Sequence, residues 1–345
     1  ARIENIWRSW SGQGRTAMAR PRKHDICLDA TLYYHCVSRC VRRAFLCGYD
    51  AHTGQSYEHR RAWVEDRLLS ISHCFTIDIC AYAVMSNHCH VVLHVDVQKT
   101  ASLTTREVVE RWHGLFAGNL LSQRFLAGHP LSDAEVRMLK EQVETWRENL
   151  MSVSWFMRCL NEHIARRANQ EDDCTGRFWE GRFKCQALLD ESALLACMAY
   201  VDLNPVRAGM ANSPEESEYT SIHRRMAIFR SEADQHETAN LMPFRSKSDL
   251  LPSNCLLFKL QDYLELLDWT GRAIRPDAHG TIPTDFPPIA SQLKIESHAW
   301  LAMTKGFESL FHALVGREES VLTACEQTGR SWSHGISACR HCFPT

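Results

Sequence analysis

The chain lacks any apolar run near the roughly 18 residues that mark a membrane-spanning helix, which argues against a helical membrane protein. It shows no secretory signal, no internal repeat and no low-complexity tract. Charge of one sign is also missing: 39 Lys and Arg stand against 41 Asp and Glu, a net −2. A global basic signature for nucleic acid is therefore absent. A complete zinc set is missing too, because the one tight pair, Cys339-Arg340-His341-Cys342, has no second Cys-x-x-Cys to match it. Cysteine itself is plentiful at 15, an odd number, and many lie in apolar segments (Cys36, Cys80, Cys89, Cys197). A free thiol there behaves as a small buried hydrophobe. With no export signal, this predicts a reducing, cytoplasmic setting.

At 345 residues the chain can bury a sizeable core, and 45% hydrophobic with 23% charged residues is ordinary for a globular protein. The charge is uneven. From Arg2 to Arg43 nine Lys and Arg face three Asp and Glu, a strip able to follow a phosphate backbone or simply to be solvated. Residues 1–17 carry no periodic pattern, and Met18 reads as a more natural start, so the preceding stretch is expected to be leader or disordered arm. Spacing predicts a strand over 31–37, a helix over 60–75, strands over 76–85 and 89–96, a helix over 154–169 and a strand over 183–189. That order predicts an α+β fold, a ferredoxin-like or RRM-like antiparallel sheet with helices on one face. Residues 98–149 read as a helical insertion between core segments 18–97 and 150–212. Residues 213–345 read as a mainly helical C-terminal extension, with helices at 262–269, 294–316 and 318–327.

Two stretches carry chemistry. In Met85-Ser86-Asn87-His88-Cys89-His90 a turn-prone pair precedes a strand. Side chains alternate along a strand, so His88 and His90 share a face while Cys89 points away. Two imidazoles side by side are half of a metal site, or two polar residues on a solvated face. His94 shares that face as a more distant neighbour. The second stretch is Tyr200-Val201-Asp202-Leu203-Asn204-Pro205-Val206-Arg207-Ala208-Gly209. Its helix should stop near Asn204, before the proline. Tyr200 and Asn204, four apart, then share a helix face. The phenol is a potential nucleophile and the amide oxygen a potential third ligand; core packing and helix capping are the plainer readings.

Together these motifs resemble the single-tyrosine HUH transposases, closest to the REP-associated tyrosine transposases of bacteria. Tyr33-Tyr34-His35-Cys36-Val37-Ser38-Arg39 and Gly176-Arg177-Phe178-Trp179-Glu180-Gly181-Arg182-Phe183-Lys184 match the family in the same order. The likeness covers about two fifths of the chain, and Ser86 stands where the family commonly has proline. It implies an HUH endonuclease core and a metal-dependent single-stranded DNA endonuclease and strand transferase. Tyr200 would form a 5′-phosphotyrosine, leaving a free 3′-OH. His88, His90 and Asn204 would hold Mg²⁺ or Mn²⁺. The implied partner is single-stranded DNA carrying a palindromic hairpin, with no membrane, and monomer and homodimer both stay open. Arg39, Arg42, Arg43, Arg177, Arg182, Lys184 and Arg207 are the expected phosphate contacts, and Trp179, with Phe178, could stack on unpaired bases. Tyr33, Tyr34 and Tyr82 compete as nucleophiles. Two other classes stay open: a nucleic-acid binding protein derived from a transposase without cleavage, and a hydrolase whose histidine-bound metal activates water.

Overall fold

The computed structural model describes residues 26–41, 46–50, 54–230, 241–245, 255–274, 286–331 and 333–343. The expected leader at 1–17 lies outside them. Strand β1 (Tyr33–Arg39) leads through a small hairpin, β2 (Tyr49–Asp50) and β3 (Gln55–Ser56), into helix α1 (Arg60–Ser72). A second hairpin follows, β4 (Ile77–Val84) and β5 (His88–Val95). Helices α2 (Val97–Ser102), α3 (Thr105–His113), α4 (Leu120–Leu126) and α5 (Asp133–Leu150) then precede α6 (Val153–Glu171). Next come β6 (Lys184–Leu188), α7 (Glu191–Asp202) and the short α8 (Asn204–Arg207). The remainder holds α9 (Ser221–Arg230), α10 (Leu260–Ile274), α11 (Pro288–Gln292), α12 (Ser297–Leu310), β7 (Leu314–Val315), α13 (Glu318–Thr328) and α14 (Ile336–Cys342).

The main sheet has the order β4-β5-β1-β6-β7. Its four long strands pair antiparallel, and β7 adds to β6 in parallel. Alternation divides the sheet into two faces. On one face Ser38 accepts a hydrogen bond from Asn161 of α6 at 2.8 Å, and Tyr82 donates to Glu65 of α1 at 2.6 Å. On the other, His35 and His90 look toward Tyr200 of α7. Helices therefore cover both faces, not one as the pattern predicted. The second layer follows from packing: other elements bury α7 along nearly its whole length.

The predicted helical insertion gathers a core of its own. Val108, Val109, Trp112, Leu139, Val143, Trp146 and Leu150 pack together, with the Trp112 and Trp146 rings stacked at 5.3 Å. Capping boxes at Thr104/Glu107 and Ser132/Glu135 start α3 and α5.

The C-terminal region is built into the sheet itself. Within the stretch expected to be helix over 294–316, α12 ends at Leu310 and β7 pairs with Ala187 and Leu188. Asp190 ties the two parts together: one carboxylate oxygen caps α7 by accepting from the Ala193 amide at 2.9 Å, and the other accepts from the Arg317 amide at 2.6 Å. Gly316 lies so close that a Cβ there would sit 2.7 Å from Asp190 Oδ2. Asp202, at the far end of α7, is wholly buried and accepts from Ser221 Oγ, the Ile222 amide and Tyr263 Oη. It thereby joins α7 to α9 and α10, and burial pushes its carboxyl up to about 6.

Gly316→Ala is expected to lower stability by about 1–3 kcal/mol through overpacking against Asp190. Urea denaturation of the full chain measures this; a change within about 0.5 kcal/mol, the ordinary range for a surface substitution, would mean the junction yields freely.

Candidate active site

The site lies where β5, β1 and β6 meet the C-terminal end of α7. Register places His90 opposite Val37, His35 opposite Val92 and Gln186 opposite His35. His35 and His90 are thus diagonal neighbours on one face, with rings stacked 5.2 Å apart at 11°. His35 Nε2 lies 3.0 Å from His90 Nδ1, and His35 Nδ1 lies 2.7 Å from Gln186 Oε1. His88, at the strand's opening, sits edge-on to His90 at 4.7 Å, its Nδ1 2.6 Å from Asn87 Oδ1. The expected shared face of His88 and His90 is what the strand delivers. His94 shares that face but serves elsewhere, with Nδ1 3.1 Å from Asp78 and its ring 4.7 Å from Tyr33.

Tyr200 brings the second stretch to the first. Its ring is 5.6 Å from that of His90 and 6.3 Å from that of His35, centre to centre. Phe307 of α12 covers it at 5.7 Å, leaving Tyr200 4% exposed. The rival tyrosines are committed elsewhere. Tyr34 donates to the carbonyls of Cys27 and Thr31, Tyr82 donates to Glu65 on the opposite face, and Tyr33 stands beside His94.

α7 ends at Asp202, and α8 begins with Pro205 in its first turn. The chain thus breaks at Leu203, so Asn204 opens α8 instead of sharing a helix with Tyr200 as expected, and Arg207 of α8 folds back over Tyr200. The Arg207 guanidinium lies 4.2 Å over the Tyr200 ring, donates to Asn204 Oδ1 at 2.5 Å, and donates to the Lys305 carbonyl at 2.7 Å. Arg207, one of the expected phosphate contacts, therefore lies beside the tyrosine. The Asn204 oxygen, expected as a third metal ligand, is held by Arg207, while Asn204 Nδ2 is buried without a partner.

Cations surround the pair. Burial, joined by the positive charges of Arg39, Arg207 and Lys184, pushes His88 down to about 4. Burial alone dominates at His90 and His35, both held below the ordinary imidazole range, His90 far below it. These rings are neutral at pH 7, the form that binds metal. Burial raises the Tyr200 phenol above its ordinary value, and Arg207 opposes that rise.

His90 Nε2 is buried and unpartnered, and with Nδ1 of His88 facing Asn87, Nε2 is the ring atom left to each histidine for a ligand. The donors the pair could offer a divalent cation are therefore these two Nε2 atoms. Among the described residues no group of three or more His, Cys, Asp or Glu is arranged to hold a metal, so further ligands would be amide, water or substrate oxygens.

The other predicted DNA contacts divide. Arg39 pairs across from His88, and Lys184 is exposed across from Val37. Arg177 and Arg182 are exposed on the loop before β6. Trp179 is half-buried and donates its indole N–H to the Asn161 carbonyl at 2.8 Å, and Phe178 is core. Arg42 and Arg43 lie outside the described residues. Sequence reasoning did not single out His35, Gln186, Phe307 or Phe311. Only His35 carried a signal, the alternation that puts it on one face with Tyr33 and Val37. A cavity of about 680 Å³ opens beyond His35 and Gln186, lined also by Arg182, Lys184, Glu308 and His312. Among the described residues no helix is long and apolar enough to cross a membrane.

No family model and no curated protein matches the chain. A solved structure of a REP-associated tyrosine transposase bound to a REP hairpin is similar at 13% identity and a TM-score of 0.32, over 56% of this chain and 79% of that one. The functional reading therefore rests on the site.

Arg207→Gln is expected to raise the Tyr200 phenol further, since it removes the charge that opposes burial. Ring-¹³C tyrosine NMR, with Tyr200→Phe to assign the signal, reads the shift; an unmoved titration would show that Arg207 does not act on the phenol.

Proposed function

We propose that this chain is a metal-dependent single-stranded DNA endonuclease and strand transferase of the HUH single-tyrosine type, acting through a 5′-phosphotyrosine on Tyr200. The observation that carries this is the convergence of Tyr200 with His88 and His90, two stretches distant in sequence, inside a ring of cations. The strand order also supports it. Taken in chain order, the four long strands lie second, third, first, fourth, the split β-α-β order of a ferredoxin-like sheet.

His88 and His90 would hold Mg²⁺ or Mn²⁺ through Nε2, and the cation would act as a Lewis acid on the scissile phosphate. The remaining work falls to the chain's own groups. Arg39 and Lys184 draw the phosphate backbone to the strand ends beside His88. The Tyr200 oxygen attacks phosphorus, a tyrosine–phosphate bond forms, and the bond to the 3′ oxygen breaks. The phenol proton is lost and the leaving 3′ oxygen ends protonated. The reverse attack by a 3′-OH rejoins a strand without ATP, because the phosphodiester energy is kept in the tyrosyl ester. Arg207, over the ring, favours the phenolate. The partner is a single strand with a hairpin, gripped by Arg177 and Arg182 on the loop before β6.

One observation favours a second reading, binding without cleavage: Phe307 covers the nucleophile. A denaturing gel separates the two. With a labelled hairpin oligonucleotide and Mn²⁺, the label should move to protein size in the wild type and vanish from that position in Tyr200→Phe and His88→Ala. Binding with no cleavage across a panel of hairpins would favour the second reading. Cleavage that persists in Tyr200→Phe without an adduct would point instead to water activation.

A further inference from the structure

We infer that Gln186 and His35 are positioning residues that set the tautomer of His90 and aim a lone pair of its Nε2 at the cation position, an inference resting on the metal reading above. The relay begins at a group with no choice. The Phe311 carbonyl can only accept, so Gln186 Nε2, 2.8 Å away, must donate to it. Gln186 Oε1 is then the acceptor facing His35 Nδ1 at 2.7 Å, so that nitrogen carries the proton. His35 Nε2 becomes an acceptor, and His90 Nδ1, 3.0 Å away, donates to it. A neutral imidazole has one proton, so His90 Nε2 is left bare. That atom is the one buried without a partner. His35 and His90 are fully buried and Gln186 is 8% exposed, so water is kept from scrambling the order. The anchor belongs to the segment joining α12 to β7, so the C-terminal region holds the end of this histidine row through a backbone carbonyl.

The test uses the full chain, ring-¹⁵N histidine NMR without metal, and Mn²⁺ binding followed by the EPR signal of the free ion. The wild type should show His90 protonated on Nδ1. Gln186→Met removes the acceptor; His35 and His90 should both switch tautomer, and Mn²⁺ affinity should fall about 10–100-fold. A merely structural role would lower affinity in Gln186→Met without moving either tautomer. His90 protonated on Nε2 in the wild type, or tautomers unmoved in Gln186→Met, would overturn the inference. Correct tautomers in a wild type that binds no Mn²⁺ would instead overturn the metal reading, and with it the purpose given to the relay.

Discussion

A row of buried polar side chains crosses three strands: Gln186 on β6, His35 on β1, His90 on β5. Burying such groups is costly unless each is hydrogen-bonded, and here each finds its partner on the next strand. Sheet register is therefore the constraint on which the site depends. A slip of one residue in β1 would send His35 to the opposite face and leave its neighbours unpaired. The bonds at the two ends differ in kind. One end closes on a backbone carbonyl, and the other is left open at His90 Nε2, facing the phenol side of α7.

Electrostatics and burial act together around that open end. The histidines are kept neutral by desolvation, and Arg39, Lys184 and Arg207 supply the positive charge without the rings having to carry it. Half-buried Arg39 and Arg207 act with less screening than exposed Lys184. Burial raises the phenol, and the guanidinium stacked on the ring opposes it. Arg207 is itself held by the Lys305 carbonyl, so the C-terminal region bears on the nucleophile through Arg207 and Phe307, and on His90 through Phe311.

Much of the core was legible because its signals are local. Alternation placed His88 and His90 on one face, and Tyr200 lies on the helix expected for it, whereas Asn204, expected on that same helix, opens α8. What was not legible depends on distant pairing. β7 spans two residues and joins β6 in parallel, and no pattern of that length distinguishes a strand. The second helical layer follows from the near-complete burial of α7, a property of what packs on it rather than of its own period. Arg207 was grouped with phosphate contacts by residue type, and only the turn at Pro205 shows that it folds back onto Tyr200. The extension at 213–345 carried no readable chemistry because what it sets against Arg207, Gln186 and Tyr200 is two backbone carbonyls and a phenylalanine ring, which leave no signature in sequence.

Peptide mapping by mass spectrometry shows which tyrosine is the nucleophile. After reaction with a hairpin oligonucleotide and Mn²⁺, nuclease trimming and proteolysis, one nucleotide-bearing peptide is expected, with the phosphate on Tyr200. A nucleotide on Tyr33, Tyr34 or Tyr82, or cleaved DNA with no modified tyrosine at all, would contradict it.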